Sequence, residues 1–226
     1  MTTAMAGRSP YQAPGFYDRA LAAGRHRDIV GGRWTETAIA QMLCLLDEGL
    51  RPDDRLLDLG CGALRLGHRA VAFLHPGNYW GTDASLALMH RGWEAELTPA
   101  LRARLPLEQL VEDAEFACPG VPATMDYAIA FGVFTHLPPG ALPPALARLR
   151  ARFPGLKRLL LTLFLAPGGH QGPLRQPDGV VTHAGRPPYH RIPAEVEAEA
   201  AAAGFAAEWR DRVLPRGQRL CVLRPV

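Results

Sequence analysis

The chain of 226 residues is 48% hydrophobic and 21% charged, which is ordinary for one globular α/β domain with a full core. No apolar run approaches the roughly 18 residues that span a bilayer, and the N-terminus lacks the apolar segment of a secretory signal. We therefore expect a cytoplasmic protein without a membrane partner. The net charge of +3 includes a single lysine, Lys157, so no basic face for nucleic acid is expected. The four cysteines form no CxxC pair, so neither a metal site nor a disulfide is expected.

Two segments precede the first predicted strand. Residues 1–34 are rich in glycine, proline and small residues and are interpreted as an arm: a disordered start, then a short amphipathic helix that can close over a site as a lid. Apolar residues at helical spacing then predict a helix from about 35 to 48, capped by Thr35. Residues 35–226 are expected to form a single domain.

Short apolar runs alternate with helical patterns along the rest of the chain. The strand-like runs are "RLLDLG", "NYWGTD", "LEQLVED", "MDYAIAFGVF" and "KRLLLTLFLA", and helices are predicted over Arg65 to Leu74 and Ser85 to Leu97. Such alternation is typical of parallel strands joined by crossover helices. A Gly-, Pro- and His-rich loop from Ala166 to Pro193, a helix over "AEVEAEAAAAG" and two runs around a Pro-Arg-Gly turn follow, so the sheet should end in an antiparallel strand.

The turn after the first strand, within "LLDLGCGALRLG", is the main candidate for a ligand site, because open parallel sheets bind ligands beyond the carboxyl ends of their strands. Gly60 and Gly62 leave backbone bare, although glycines needed for packing alone are the alternative. Arg65 stands where a dinucleotide fingerprint has its third glycine, and Asp58 would repel a pyrophosphate but attract ammonium and sulfonium charges. Asp83, about 20 residues on, can accept hydrogen bonds from ribose hydroxyls. The pattern favours a cationic nucleoside ligand.

These segments, in this order, resemble the class I S-adenosylmethionine-dependent methyltransferases. "LLDLGCGALRLG" is similar to their first motif, "YWGTDAS" to their ribose segment, "VEDAEF" to the segment whose acid meets the adenine amino group, and "MDYAIAFGVFTHLPP" to their fourth strand and its loop. The resemblance runs from about Gly31 to Leu223, and Leu64 replaces the usual third glycine of the first motif. It implies a Rossmann-like three-layer sandwich whose seven-stranded, mainly parallel sheet has the order 3-2-1-4-5-7-6 and an antiparallel last strand.

The resemblance further implies S-adenosylmethionine as the cofactor. The residues that it assigns to cofactor binding are Asp58, Gly60, Cys61, Gly62, Arg65, Asp83, Ala84, Asp113, Ala114 and Phe131. More narrowly, "GCGALRLG", "FGVFTHLPP", "YHR" and "PRGQRLCVL" resemble a bacterial subgroup of small-molecule methyltransferases with GCG-x-L-R and VFTHLP motifs.

Histidines are the candidates for a catalytic base. Methyl transfer from a sulfonium is an in-line displacement, in which the protein positions the acceptor and a hydroxyl acceptor must also lose a proton. His136 follows the fourth strand and is one candidate, with loop capping or packing under the adenine as its alternative. His183 and His190 lie in the loop 166–193, and the resemblance favours His190 because "YH" recurs in the subgroup.

The same loop contains further polar residues. His170, His183 and His190 lack HxH or HxxxH spacing, so no metal is expected. Loop arginines are interpreted either as a clamp for an acceptor carboxylate or phosphate or as solvated side chains: Arg175, Arg186 and Arg191.

The sequence thus predicts an S-adenosylmethionine-dependent methyltransferase that acts on a small molecule, at oxygen more than at nitrogen. The histidines suit deprotonation, and "THLPP" stands where enzymes acting on amide or base nitrogen carry Asn-Pro-Pro-Tyr or Asp-Pro-Pro-Tyr. The alternatives are an N-methyltransferase of a small molecule and a non-catalytic S-adenosylmethionine-binding partner protein. An RNA methyltransferase is not expected, because neither a basic face nor an accessory RNA domain is visible. The acceptor, and the choice between monomer and homodimer, stay open.

Overall fold

The described part of the chain is residues 16–226 of a computed structural model, and it contains ten strands and eight α-helices. The strands are β1 Leu56–Leu59, β2 Tyr79–Asp83, β3 Leu110–Glu112, β4 Tyr127–Ala130, β5 Arg158–Leu165, β6 Leu174–Arg175, β7 Val181–Thr182, β8 His190–Arg191, β9 Phe205–Val213 and β10 Arg219–Pro225. The helices are α1 Phe16–Ala22, α2 His26–Ile29, α3 Trp34–Asp47, α4 Gly67–Phe73, α5 Leu86–Glu96, α6 Pro99–Arg102, α7 Leu142–Arg152 and α8 Pro193–Ala202. None of these helices combines the length and apolarity needed to cross a membrane.

The main sheet has the order β3-β2-β1-β4-β5-β10-β9. The strands β1 to β5 pair in parallel, and β10 runs antiparallel to both β5 and β9. The predicted strand order and the antiparallel last strand are confirmed. A short additional strand, β8, pairs with Phe164 and Leu165 at the end of β5, beyond the last residue that β4 reaches, Leu161. β8 supplies backbone hydrogen-bond partners to the end of β5 that extends past β4. Its two residues are too few to produce a strand pattern in the sequence.

Helices cover both faces of the sheet. Leu56 of β1 packs in a cluster with residues of α3, α4 and α5, whereas the adjacent Leu57 packs in a second cluster with residues of α7 and α8. Successive side chains of a strand point to opposite faces, so the two clusters lie on opposite sides of the sheet. The predicted three-layer arrangement is confirmed, and burial on both faces explains why β5 is apolar over most of its length, with Thr162 as the polar residue inside it.

The start of α3 differs from the prediction in its cap. The helix spans Trp34–Asp47, close to the predicted 35–48, but its N-cap is Arg33 in a left-handed conformation with φ +47° and no side-chain cap. Thr35 lies inside the helix, so its predicted capping role is wrong. The two glycines before Arg33 have φ +90° and +61°, and this bent segment sets where the helix can begin.

The helices that follow β1 and β2 begin at the carboxyl edge of the sheet. α4 starts at Gly67 rather than Arg65, because Leu64 adopts φ +62° and prolongs the turn. α5 follows the prediction closely, since the Ser85 hydroxyl caps it by accepting from the Leu88 N–H at 3.2 Å.

The segment 166–193 was predicted as a loop and contains a small hairpin. Leu174 pairs with Thr182 in an antiparallel β6–β7 ladder. The Gln176 Nε2 group donates to the Leu165 carbonyl at 3.1 Å and to the Thr182 hydroxyl at 2.9 Å. These bonds fix the hairpin at the carboxyl end of β5, where the cavity described next opens.

Candidate functional site

A cavity of about 360 Å³ lies at the carboxyl edge of the parallel strands, a size typical of small-ligand sites. Residues from the ends of five adjacent strands line it: Asp113 after β3, Asp83 in β2, Gly60 after β1, Phe131 after β4 and Phe164 in β5. This edge is where α/β sheets bind ligands. Eight of the ten residues assigned to cofactor binding line the cavity: Gly60, Gly62, Arg65, Asp83, Ala84, Asp113, Ala114 and Phe131.

The turn after β1 has a left-handed backbone at three positions. Gly60 and Gly62 have φ +69° and +54°, and the buried Leu64 has φ +62°. Leu64 thus takes up the conformation that glycine adopts most easily, at the position where the first motif usually has its third glycine. The Gly60 N–H donates to the Thr82 carbonyl at 2.7 Å, and the Gly62 N–H donates to Asp83 Oδ2 at 3.0 Å. The turn is therefore tied to the end of β2.

Two valines stand against these glycines. A Cβ atom on Gly60 would lie 2.6 Å from Cγ2 of Val133, and one on Gly62 would lie 2.6 Å from Cγ1 of Val30. Both valines line the cavity. The turn therefore has no room for a side chain at either glycine.

Asp83 connects the turn to the cavity. Its Oδ2 accepts from Gly62 and its Oδ1 accepts from the Ser85 N–H at 3.0 Å. Burial raises the pKa of Asp83 to about 6, although the backbone N–H groups oppose this shift. Each oxygen retains a second lone pair, so the carboxylate can accept further hydrogen bonds from a ligand.

Asp58 lies behind the turn and not in the cavity. Its side chain is 2% exposed, and the Tyr79 hydroxyl donates to its Oδ2 at 2.8 Å. Burial raises the pKa of Asp58 to about 7, while the Tyr79 hydroxyl and the Arg65 cation lower it. The charge of Asp58 would act on a ligand across the turn, since its side chain does not line the cavity.

Cys61 is the other assigned residue outside the lining. It is buried against Gly81, where a Cβ atom would meet its Sγ at 2.8 Å. Burial and then the nearby carboxylates of Asp58 and Asp83 raise the pKa of this thiol well above its usual value. Its side chain packs in the core beneath the turn.

Asp113 is held in the cavity wall by backbone groups. Its Oδ1 accepts from the Glu115 N–H and its Oδ2 from the Cys118 N–H, both at 2.8 Å. Its own N–H donates to the Asp83 carbonyl at 2.8 Å. The two cavity carboxylates therefore belong to adjacent strand ends, with Ala114 beside them in the lining.

Of the three candidate bases, His136 lines the cavity and His183 and His190 do not. Burial, and then the positive charge of Arg216, lowers the pKa of His136 to about 4, so its imidazole is neutral at neutral pH. His190 is 4% exposed because β8 pairs with β5 beneath the hairpin. Its Nδ1 lies 3.0 Å from the Thr182 hydroxyl. The structure thus places His183 and His190 away from the cavity, contrary to what a base requires.

The loop arginines also lie outside the lining. Arg175 donates to the Gly179 carbonyl at 3.1 Å, and Arg191 pairs with Glu199 at 2.7 Å. The loop instead contributes Val180 and Pro188 to the cavity wall. Within residues 16–226, no group of three His, Cys, Asp or Glu side chains comes together as a metal site.

Two residues that the sequence does not single out line the cavity beside β10. Arg216 lies in the 3₁₀ turn Pro215–Gly217 with φ +69°, and Gln218 follows this turn. The Arg216 Nη2 group donates to the Gly31 carbonyl, and the Thr162 hydroxyl donates to Gln218 Oε1 at 2.6 Å. The only signal for them in the sequence is their place in "PRGQR", between the last two strands.

The arm contributes one wall of the cavity. Tyr17, Ile29, Val30 and Gly31 line it, and the arm's apolar side chains pack against Ala63 and Leu88.

Charged groups attach the arm to the domain. The Arg65 guanidinium donates to the carbonyls of Val30 and Gly32. Glu96 of α5, whose side chain is nearly buried, accepts from His26 Nε2 and from Arg27 Nη2, both at 2.7 Å. Burial acts to raise the pKa of Glu96, but the hydrogen bonds and the positive charges of Arg27 and His26 together outweigh it, so this pKa is lowered.

No protein-family model matches the chain. Solved structures do match it. The chain has a class I methyltransferase fold. Magnesium protoporphyrin IX methyltransferase from Synechocystis PCC 6803, crystallised with bound S-adenosylhomocysteine, superposes with a TM-score of 0.60 at 16% identity, over 85% of this chain and 83% of that one.

Two further structures with the methyltransferase fold match over most of the chain. A putative O-methyltransferase from Nostoc punctiforme PCC 73102 has a TM-score of 0.64 at 16% identity, over 98% of this chain and 64% of that one. A TehB-like S-adenosylmethionine-dependent methyltransferase from Corynebacterium glutamicum ATCC 13032 Kitasato has a TM-score of 0.59 at 16% identity, over 95% and 100%. At these identities the match concerns the fold, and chemistry must be argued from this chain's own residues.

Proposed function

We propose that the protein is an S-adenosylmethionine-dependent methyltransferase that methylates an oxygen atom of a small molecule. The observation that carries this proposal is the cavity at the carboxyl edge, where the backbone of Gly60 and Gly62 adjoins the carboxylates of Asp83 and Asp113. The fold agrees with it, and the Synechocystis neighbour binds S-adenosylhomocysteine.

The cofactor fits the β1–β2–β3 end of the cavity. Both acids of the described lining, Asp83 and Asp113, are at this end, which suits a ligand with ammonium and sulfonium charges and disfavours a phosphate. Asp83 would accept from the ribose hydroxyls, Asp113 would face the adenine amino group, and the backbone at Gly60 would adjoin the methionine part. When bound, the cofactor supplies an electrophilic methyl group.

The rest of the cavity would hold the acceptor. His136 is neutral there, so it can accept a hydrogen bond from a hydroxyl group or donate one to an oxygen, depending on its tautomer. Phe131 and Phe164 provide apolar walls that position the acceptor and exclude water. An oxygen acceptor suits this set because the described lining offers no carboxylate at this end to hold an amine.

We also propose that residues 1–34 are a lid on a single domain of residues 35–226. Residues 1–15 lie outside the described part of the chain. The described arm supports the idea, because its Val30 stands against Gly62 and its carbonyls accept from Arg65 and Arg216. A lid of this kind would exclude water during transfer.

Calorimetry with S-adenosylhomocysteine tests the proposed cofactor site. Wild-type protein should bind it with micromolar affinity, and Asp83→Ala should weaken binding at least 100-fold, because both the ribose acceptor and the support of the Gly62 N–H are lost. Asp211→Ala removes a fully exposed carboxylate of β9 and should change nothing. Equal affinity in all three proteins would refute the site.

A screen with tritiated methyl donor over small-molecule extracts tests the reaction. Transfer to an extracted compound, with alkali-labile or ether-linked product, supports O-methylation. Transfer to an amine would identify an N-methyltransferase, and cofactor binding without any transfer would favour a non-catalytic binding protein. We expect no shift of bulk RNA by the protein at moderate salt, since the net charge of +3 is small for its length.

A further inference from the structure

The end of the cavity beside β4, β5 and β10 carries positive charge and no acid. Both acids of the described lining belong to β2 and β3 strand ends, whereas the Gln218 amide lies within 4 Å of a Cβ position on Gly132, just beyond β4. The polar side chains here are His136, Arg216 and Gln218. A ligand group bound at this end therefore meets a cation and neutral donors.

The Arg216 guanidinium forms no salt bridge within residues 16–226, and the Asp178 carboxylate, which interacts with its charge, is already paired with Arg33. Within residues 16–226 its guanidinium makes one hydrogen bond, to the Gly31 carbonyl, and no carboxylate lies within 4.0 Å of it. The backbone N–H of Arg216 donates to Asp178 Oδ2 at 2.8 Å, which helps to hold the backbone at φ +69°. A non-glycine residue in this conformation is uncommon and is found more often at binding sites. The remaining guanidinium N–H groups suit a planar anion.

Gln218 presents a second donor next to Arg216. The Gly132 N–H donates to the Thr162 hydroxyl at 2.7 Å, so that hydroxyl donates its own proton to Gln218 Oε1. These two hydrogen bonds fix the orientation of the Gln218 side-chain amide. The Nε2 group lies beside Gly132, where it makes no hydrogen bond within the described residues and is not sealed from the cavity.

We propose that Arg216 and Gln218 bind a carboxylate group of the acceptor and that this carboxylate is the methylated group. The proposal rests on the methyltransferase function proposed above. One carboxylate oxygen forms a bond to the methyl carbon, the bond from that carbon to sulfur breaks, and its electron pair stays on sulfur. The product is a methyl ester, and no proton is transferred because the acceptor is already ionised at neutral pH.

The state of His136 agrees with an ionised acceptor. With a pKa of about 4 its imidazole is a weak base for a phenol, whose pKa is about 10, whereas a carboxylate needs no base. The neighbouring walls are apolar and include Phe131, Phe164 and Val180. The acceptor class is therefore a small carboxylic acid with an apolar or aromatic body.

Benzoate is a suitable probe, with benzamide as its uncharged isostere. Titration of both into the protein saturated with S-adenosylhomocysteine, followed by NMR at neutral pH, should show millimolar benzoate binding and at least tenfold weaker benzamide binding. Arg216→Gln should weaken benzoate binding at least tenfold, measured on protein saturated with S-adenosylhomocysteine. Arg212→Gln is the matched control, because Arg212 is an exposed arginine of β9 outside the cavity lining.

A second variant keeps the proposal testable if Arg216→Gln does not fold. Gln218→Glu preserves shape and can still accept from Thr162, but it places a negative charge beside the anion and should abolish benzoate binding. The proposal is wrong if benzoate does not bind the wild-type complex, if benzamide binds as well, or if both cavity variants bind benzoate like Arg212→Gln. Failure of S-adenosylhomocysteine to bind the wild type would instead refute the proposed function.

Discussion

The two ends of the cavity are built from different kinds of structure. At the β1–β2–β3 end, backbone N–H groups and carboxylates at neighbouring strand ends hold one another, as Gly62 and Asp83 do. At the β4–β5–β10 end, side chains from distant segments line the cavity together, such as His136 after β4 and Arg216 after β9. A site formed by local backbone is recognisable in a sequence, whereas one assembled from remote side chains depends on the finished fold.

The largest expected effect concerns Asp58, whose buried carboxyl lies behind the glycine turn. Its pKa of about 7 exceeds the ordinary 3.8, so between these values the folded state holds a proton that the unfolded state releases, and stability falls as pH rises. Asp58→Asn removes this cost and retains an acceptor for Tyr79. We expect a gain of up to about 4 kcal/mol in the free energy of unfolding at pH 8, and no gain below pH 4.

Urea unfolding at the two pH values measures this difference. Asp53→Asn is the control, because Asp53 is highly exposed and its substitution should have little effect at either pH. A gain from Asp58→Asn that is independent of pH would show that the carboxyl is not held protonated behind the turn.

The glycine turn should be far more sensitive than exposed glycine positions. Gly60→Val adds a side chain at φ +69° and forces it against Val133, so we expect about a 100-fold loss of S-adenosylhomocysteine affinity, or about 2.8 kcal/mol. Calorimetry provides the affinity. Gly140→Val is the control, since a Cβ there meets no atom within 4 Å. Comparable losses in both variants would contradict a special role for the turn.

The attachment of the arm to the domain should affect both ends of the cavity, but less than the Asp58 and Gly60 substitutions do. Glu96→Gln weakens the contacts to His26 and Arg27, so the arm should detach more often. We expect trypsin cleavage after Arg27 to be about tenfold faster and S-adenosylhomocysteine to slow it. Mass spectrometry of the digest locates the cut. Glu94→Gln changes an exposed glutamate of the same helix, and equal cleavage rates in the two variants would contradict the attachment.

The smallest expected effect is on the pKa of His136, at the β4–β5–β10 end of the cavity. Arg216→Gln removes a positive charge that disfavours the imidazolium, so the pKa of His136 should rise from about 4. It should stay below 6.5, because burial is the larger cause. NMR titration of the imidazole measures it, and Arg212→Gln should leave it unchanged. If the pKa of His136 does not respond to Arg216→Gln, the charge of Arg216 does not act on this imidazole.

The sequence predicted the sheet and the first end well for identifiable reasons. The alternating apolar runs predicted parallel strands joined by helices, and the strand order came from the family resemblance. Asp83, which lines the cavity, was selected because a carboxylate at a strand end is a local pattern. His183 and His190 were misplaced because the pairing of β8 with β5, which buries His190, involves two residues only. Arg216 and Gln218 were missed because the turn that carries them shows neither its φ angle nor its distance from the cavity in the sequence.

The burial of Cys61 has a chemical consequence. The proposed sulfonium cofactor is an alkylating agent and a thiolate is a strong nucleophile, so an exposed thiolate one residue from Gly60 would be open to methylation. Cys61 is 5% exposed, and the carboxylates of Asp58 and Asp83 join burial in keeping its sulfur protonated. The acids that suit the proposed cationic donor thereby also keep the thiol beside Gly60 in its weakly nucleophilic, protonated form.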